Sequence, residues 1–450
     1  MAINFPSSPS VNDTHIVGLT TYTWDGTSWD STLSPEQVSL SGESTLTGKY
    51  QGTIAARDPI YSVAIAEVPG ASEWDTSITK LSDPATLPTG AMYRSQYGWS
   101  PDETYLAVGM SVTPYVHIYK RASDVFTKLA DPATLPTGVA WGMAFSKTGV
   151  YLTVAHSTSP YITIYKRSGD TFTKLANPST LPIGTTGQSV CWSSDDTYMA
   201  VGLNALTEVI VYKRSGDTFT ALSDIPSMPS GAVYSISFSP NDGYLSFTNG
   251  TSPYIHIYSR SGDVFTKLAN PSTLPSALSL GTAWSSDSNH MAVTSNASPY
   301  VTIYSRSGDV FTKLTNPSTL PTGNCNGINF SDDGVYLSMG SAATPYVVTY
   351  KQSGDTFTKI TDPETLPTAQ VDAVQFSSSG LYLMAYQEST PYIHIYKTTL
   401  AAGDAAYNKI YKSANAMSEL TTTDLNALGY ATTAGVLDDS NTIATIWKES

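Results

Sequence analysis

The chain has 450 residues, 40% hydrophobic and 11% aromatic, enough for one large repeat domain or two to three ordinary ones, and global disorder is excluded. Only 13% of residues are charged, and 23 Lys and Arg against 37 Asp and Glu leave a formal net charge of −14. That balance argues against nucleic-acid binding, which needs a basic patch to neutralise phosphate, and against electrostatic attraction to anionic membranes. Residues 1–8 lack the basic start and apolar core of a signal peptide, and nothing approaches the about 20 apolar residues of a membrane span. The expectation is a soluble, unprocessed chain without membrane insertion. Two cysteines, Cys191 and Cys325, are too few for a disulfide framework or a cysteine-based zinc site.

In chain order, residues 1–40 come first, with a β-hairpin predicted around Asp25-Gly26. Its aromatics Tyr22, Trp24 and Trp29 would be exposed on so small an element, so they are candidate attachment residues that need a partner surface. Residues 41–74 read as a connecting segment. From residue 75 the chain repeats: Tyr119, Tyr165, Tyr212, Tyr258, Tyr304, Tyr350 and Tyr396 recur 46 or 47 residues apart. That period is close to the about 40–45 residues of a propeller blade and well above the about 34 of helix-pair repeats.

Within each unit, β-branched and aromatic residues alternate between Gly, Pro, Asp and Ser clusters, the pattern of strands rather than helices. Four strands per unit follow. The first ends at an aromatic (Trp99, Phe145, Trp192, Phe238, Trp284, Phe330, Phe376) and turns through sequences such as Ser239-Pro240-Asn241-Asp242-Gly243 or Ser331-Asp332-Asp333-Gly334, with Gly suited to a positive φ. The second is typified by Tyr151-Leu152-Thr153-Val154-Ala155, the third by Tyr161-Ile162-Thr163-Ile164-Tyr165, and the fourth by Phe172-Thr173-Lys174-Leu175. Links such as Asn177-Pro178-Ser179-Thr180-Leu181-Pro182 carry the chain onward.

Antiparallel units that cannot bury both faces alone are satisfied by radial stacking, so the fold class is all-β and the architecture a seven-bladed β-propeller over residues 75–412. An eight-bladed ring using residues 44–82 is the alternative. Small residues three before each terminal aromatic (Gly142, Ser189, Ser235, Gly281, Gly327, Ala373, with Gln96 the exception) fit crowding at the axis. The fourth-strand motif occurs once too often, at residues 76–81 and again at 407–411, and the N-terminal copy is expected to close the ring. Closure would also make Arg94 and Asp372 neighbours, as an ion pair or as two solvated charges. Residues 413–450 form a C-terminal extension, helix-like over 418–428 and strand-like over 442–447.

The repeat resembles the WD-like propeller repeats of many phage and some bacterial proteins, carried by copies such as Phe330-Ser331-Asp332-Asp333-Gly334-Val335-Tyr336-Leu337 and Ser298-Pro299-Tyr300-Val301-Thr302-Ile303-Tyr304. The Gly-His and Trp-Asp dipeptides of eukaryotic WD repeats are not in register, so their hydrogen-bonded tetrad is not carried over. The opening Ile3-Asn4-Phe5-Pro6-Ser7-Ser8-Pro9-Ser10-Val11-Asn12-Asp13, followed by residues 21–29, is similar to a short module of tail-fibre and other virion proteins of tailed phages. These resemblances imply a structural virion protein made in the host cytoplasm and displayed in several copies on the particle, as a tail-fibre or tail-associated host-recognition component. Its implied partners are other virion proteins, held through the terminal segments, and a host-surface glycan or protein. A head decoration protein or tail adaptor, a non-virion scaffold binding peptides, and a polysaccharide hydrolase are the alternatives, in that order.

No catalytic set is legible, and no cofactor or metal is expected. His117, His256 and His394 occupy one third-strand slot in different blades, filled by Thr163 or Thr302 elsewhere, too far apart to share a metal. Asp195-Asp196 and Asp332-Asp333 fall in turns, where Asp caps its own backbone, and the Lys166 to Asp170 type of segment reads as a solvated hairpin. The polar, nearly repeated loops between second and third strands are the expected binding face, with His156, Ser157, Thr158, Asn249, Thr251 and Asn296 as its candidate contacts.

Overall fold

Gly, Pro and Asp punctuation every few residues leaves room only for short strands, and the computed structural model contains them in the expected order. It describes the backbone of strands Thr14–Val17, Thr20–Trp24 and Trp29–Leu33, then Trp74, residues 78–90, and residues 98–398 apart from 184–185, 205–208, 223–224 and 226–230. Chain contacts divide it into two units, Met1–Gly70 with Ala406–Ser450, and Ala71–Ala405. In the first unit the three strands form an antiparallel sheet in which Trp24 pairs with Trp29 across the predicted hairpin.

The second unit is a seven-bladed β-propeller of seven four-stranded antiparallel sheets. Blade 2 is representative, with Ala140–Phe145 innermost, then Tyr151–His156, Ile162–Ser168 and Thr171–Lys174 outermost. Blade 1 starts with an inner strand described only at Gly98–Trp99; blades 3 to 6 begin at Gly187, Val233, Ser279 and Cys325, and blade 7 at Val371. The eight-bladed alternative is ruled out, because Ile78–Lys80 is the outer strand of blade 7, Tyr396 pairing with Lys80 and Thr398 with Ile78. The N-terminal segment therefore closes the ring, and the competing copy at 407–411 lies outside the described residues, as do 413–450 and Arg94.

Two aromatic layers hold each blade together. The inner-strand aromatic meets the outer-strand Phe edge-on or tilted, as in Trp99 with Phe126 (5.7 Å), Trp192 with Phe219 (5.7 Å) and Phe330 with Phe357 (6.2 Å). The third-strand tyrosines that set the period are fully buried, and the hydroxyls of Tyr119, Tyr165, Tyr212, Tyr304, Tyr350 and Tyr396 donate to link carbonyls, Tyr165 to Thr134 at 2.8 Å and Tyr350 to Thr319 at 2.8 Å. At the axis, a Cβ on Gly142 would stand 2.7 Å from Ser189 Cα in the next inner strand, so the small residues there are a steric requirement.

Blade 7 solves its aromatic layer differently, since its outer strand carries Ile78 where the others carry Phe. Trp74, 1% exposed, packs edge-on against Phe376 at 5.5 Å and donates its indole N–H to the Gly380 carbonyl at 2.8 Å. Trp74→Ala removes both contacts at the closing seam and should cost about 3–5 kcal/mol, read as a lowered denaturation midpoint. An unchanged midpoint would contradict closure through this residue.

Candidate functional site

Alternating strand directions put the first-to-second and third-to-fourth turns on one face of the ring, and the second-to-third loops with the long links on the other. The turn face is consumed by blade-to-blade contacts. Tyr151, which begins a second strand, stacks on Trp192 of the next blade (5.8 Å, 16°), lies under the Arg214 guanidinium at 5.2 Å, and donates its hydroxyl to Asp217 at 2.6 Å. Lys166, from the same blade as Tyr151, completes the set on Asp217 at 2.7 Å. The same cluster recurs as Tyr105, Arg167, Asp170 and Lys120, as Tyr198, Arg260, Asp263 and Lys213, and across the closure as Tyr382, Arg121, Asp124 and Lys397. The Lys-Arg-Ser-Gly-Asp segments thus do not merely solvate a hairpin, as the sequence suggested; their charges join neighbouring blades.

The tandem acids divide their work. Asp195 caps its own turn, accepting from Ser193 Oγ at 2.6 Å and Thr197 N at 2.9 Å. Asp196, at φ 56, reaches instead to the previous blade and accepts from the Lys147 and Thr148 amides, the latter at 3.0 Å. Asp242 repeats this, and it, not Gly243, takes the positive φ of its turn (56°), accepting from Ser194 N at 2.8 Å. Gly334 takes that position in its own turn as expected, with φ 73.

Burial also decides the candidate contacts on the loop face. His156 and Asn249 end their second strands with 0% exposure, so neither is a surface contact; His156 Nε2 lies 3.0 Å from Thr163 Oγ1. Thr158, Thr251 and Asn296 are exposed and Ser157 is half-buried. Tyr22, Trp24 and Trp29 are described by backbone pairing alone. Asp372 accepts from Asn326 Nδ2 at 2.9 Å and Gln370 Nε2 at 2.8 Å, while its expected partner Arg94 lies outside the described residues.

Sequence reasoning missed the mouth of the central channel on this loop face. Each of the inner strands of blades 2 to 7 slips register at its loop-face end, leaving an extra residue: Trp141, Gln188, Tyr234, Leu280 and Asp372, with the slip in blade 6 spanning Asn326 and Gly327. A β-bulge re-aims a side chain, and here it does so at one level around the ring. These residues differ from blade to blade although the flanking repeat is nearly constant. That variability is the signal in the sequence, one residue before the small axial position. Trp141, Gln188 and Tyr234 are half-buried, whereas Leu280, Asn326 and Asp372 are buried.

Among the described residues no three His, Cys, Asp or Glu side chains stand together as a metal site requires, and no helix is long and apolar enough to cross a membrane. Both cysteines are free thiols, and burial pushes the Cys325 thiol up to about 12, far from a reactive thiolate at neutral pH. No protein-family model matches the chain, and no curated protein matches it in sequence. Among solved structures it is similar to hydrazine synthase from Kuenenia stuttgartiensis, with a TM-score of 0.53 and 13% identity over 70% of this chain and 98% of that one. At that identity the likeness shows the fold alone.

Desolvation lowers His117, His156, His256 and His394 from the usual 6.5 to about 4. Their folded values lie below the unfolded one, so the stability they permit is complete above pH 6.5 and is lost as pH falls toward 4. Hydrogen bonds and ion pairs from Tyr and Lys hold Asp170, Asp217 and Asp263 below their usual 3.8, extending the loss to lower pH. Replacing His256 and His394 by Thr, the residue at the equivalent slots Thr163 and Thr302, should flatten the fall in unfolding free energy between pH 6.5 and 4. An unchanged slope in urea titrations across that window would contradict the assignment.

Proposed function

We propose that this chain is a non-enzymatic recognition protein, displayed on the surface of a tailed-phage virion as a tail-associated host-recognition component. One observation carries the recognition part. The ring is built from nearly uniform blades, yet the residues at the loop-face ends of its inner strands are all different, and each stands at a register slip at one level of the ring. A repeat under packing constraint alone has no reason to vary there while holding its tyrosines and turns constant. The virion setting is supported by the resemblance of residues 3–13 and 21–29 to tail-fibre modules and by that of the repeat. In this reading the two-ended first unit supplies attachment and the propeller supplies contact.

The test is immunogold electron microscopy of purified particles with an antibody against residues 78–398. Gold at tail fibres or tail tip is the expected result. Gold over the head would move the protein to decoration, and absence of label from intact and disrupted particles would overturn the virion setting and favour a peptide-binding scaffold.

A further inference from the structure

The channel mouth is not uniform, and its open part has a definite chemistry. Trp141, Gln188 and Tyr234 stand on three consecutive inner strands, each at the bulge and each partly exposed, so an amide-bearing residue falls between two aromatic ones in the order of the ring. The strands that carry them are close, as the 2.7 Å gap between a Cβ on Gly142 and Ser189 Cα requires. Tyr234 is backed by a loop without a side chain: a Cβ on Gly250 would come within 3.4 Å of its ring and hydroxyl. Around this arc the loops contribute hydroxyls, Thr158 and Thr251 being exposed. Among the described residues, the inner strands and second-to-third loops of blades 2 to 4 carry no Lys, Arg, Asp or Glu.

We infer that the Trp141, Gln188 and Tyr234 arc is a binding site for a neutral saccharide. The aromatic faces, negative in their quadrupole, suit the weakly positive C–H faces of a pyranose ring. The Gln188 amide offers both donor and acceptor to ring hydroxyls, which is what orients a sugar once it is stacked. A phosphate or sulfate ester has no cation here to receive it, and the net charge of −14 repels polyanions. The inner strands do carry a free backbone edge toward the axis, but their close spacing, 2.7 Å from a Cβ on Gly142 to Ser189 Cα, crowds out a peptide strand that would pair there. The inference rests on the mouth as recognition surface, not on the virion setting, so particle labelling and sugar binding fail independently.

The experiment applies the full chain to an array of neutral hexose and N-acetylhexosamine oligosaccharides beside sialylated and sulfated ones. Hits are then followed by tryptophan fluorescence and calorimetry. Retention of neutral oligosaccharides is expected, with Trp141→Ala and Tyr234→Ala each weakening binding by about tenfold or more. Gln188→Ala should relax discrimination between hydroxyl epimers. Unchanged thermal melts identify variants that remain folded, and Trp141→Phe, which keeps an aromatic face, should retain most of the affinity. Absence of any neutral hit, preference for the acidic glycans, or binding indifferent to Trp141→Ala and Tyr234→Ala in folded protein would each overturn the assignment.

Discussion

A tyrosine that begins one blade's second strand reaches into the next blade: Tyr105, Tyr151, Tyr198, Tyr244 and Tyr382 each hydrogen-bond that blade's turn aspartate and lie under its arginine, and Tyr151, Tyr244 and Tyr382 also meet its inner tryptophan face to face or tilted. This phenol ties neighbouring blades together at those seams. Its parts do not contribute equally. Between blades 4 and 5 the lysine is absent, Ser259 standing opposite Tyr244, yet Tyr244 still stacks on Trp284 at 5.7 Å and donates to Asp309 at 2.8 Å. Aromatic contact, worth about 0.5–1.5 kcal/mol beyond burial, survives where the exposed ion pair has been dropped. Between blades 5 and 6 the cluster changes as a set: His290 replaces Tyr and Gln352 replaces Arg, with Gln352 Nε2 3.0 Å from His290 Nδ1 and Asp355 2.7 Å from His290 Nε2.

Because those contacts engage the charged turn segments, they also shape what the molecule can do. The turn face is committed to cohesion, and the seventh seam is closed by Ile78–Lys80 with Trp74 standing in for the missing outer Phe. The loop face is left as the place where residues can vary without loosening the ring. Bulges at the inner strand ends concentrate that variation at the channel mouth. A stiff scaffold with a variable mouth suits recognition, since little ordering is required when a ligand binds.

Most of the fold was legible in the sequence because its constraints are periodic. The Tyr119 to Tyr396 series gave the blade count, terminal aromatics marked the inner strands, and the spare outer-strand motif pointed to N-terminal closure. Features that join separate blades were not legible. Asp196 and Asp242 look like turn caps in isolation, and only the ring brings their carboxylates to Thr148 and Ser194. His156 and Asn249 look like loop residues, but the second strand extends one residue further and buries them. Trp74 lies outside the repeat register altogether. The mouth ring was missed because a residue that differs in each copy drops out of a search for what the copies share.

The most direct test of the account compares Tyr244→Ala with Lys213→Ser by urea unfolding. Loss of the phenol should cost about 3–5 kcal/mol, as expected for a buried aromatic, while removal of the lysine should leave the midpoint nearly where it was. Equal effects of the two substitutions, or a larger effect of the lysine, would contradict the claim that aromatic stacking between blades, rather than surface charge, holds the ring.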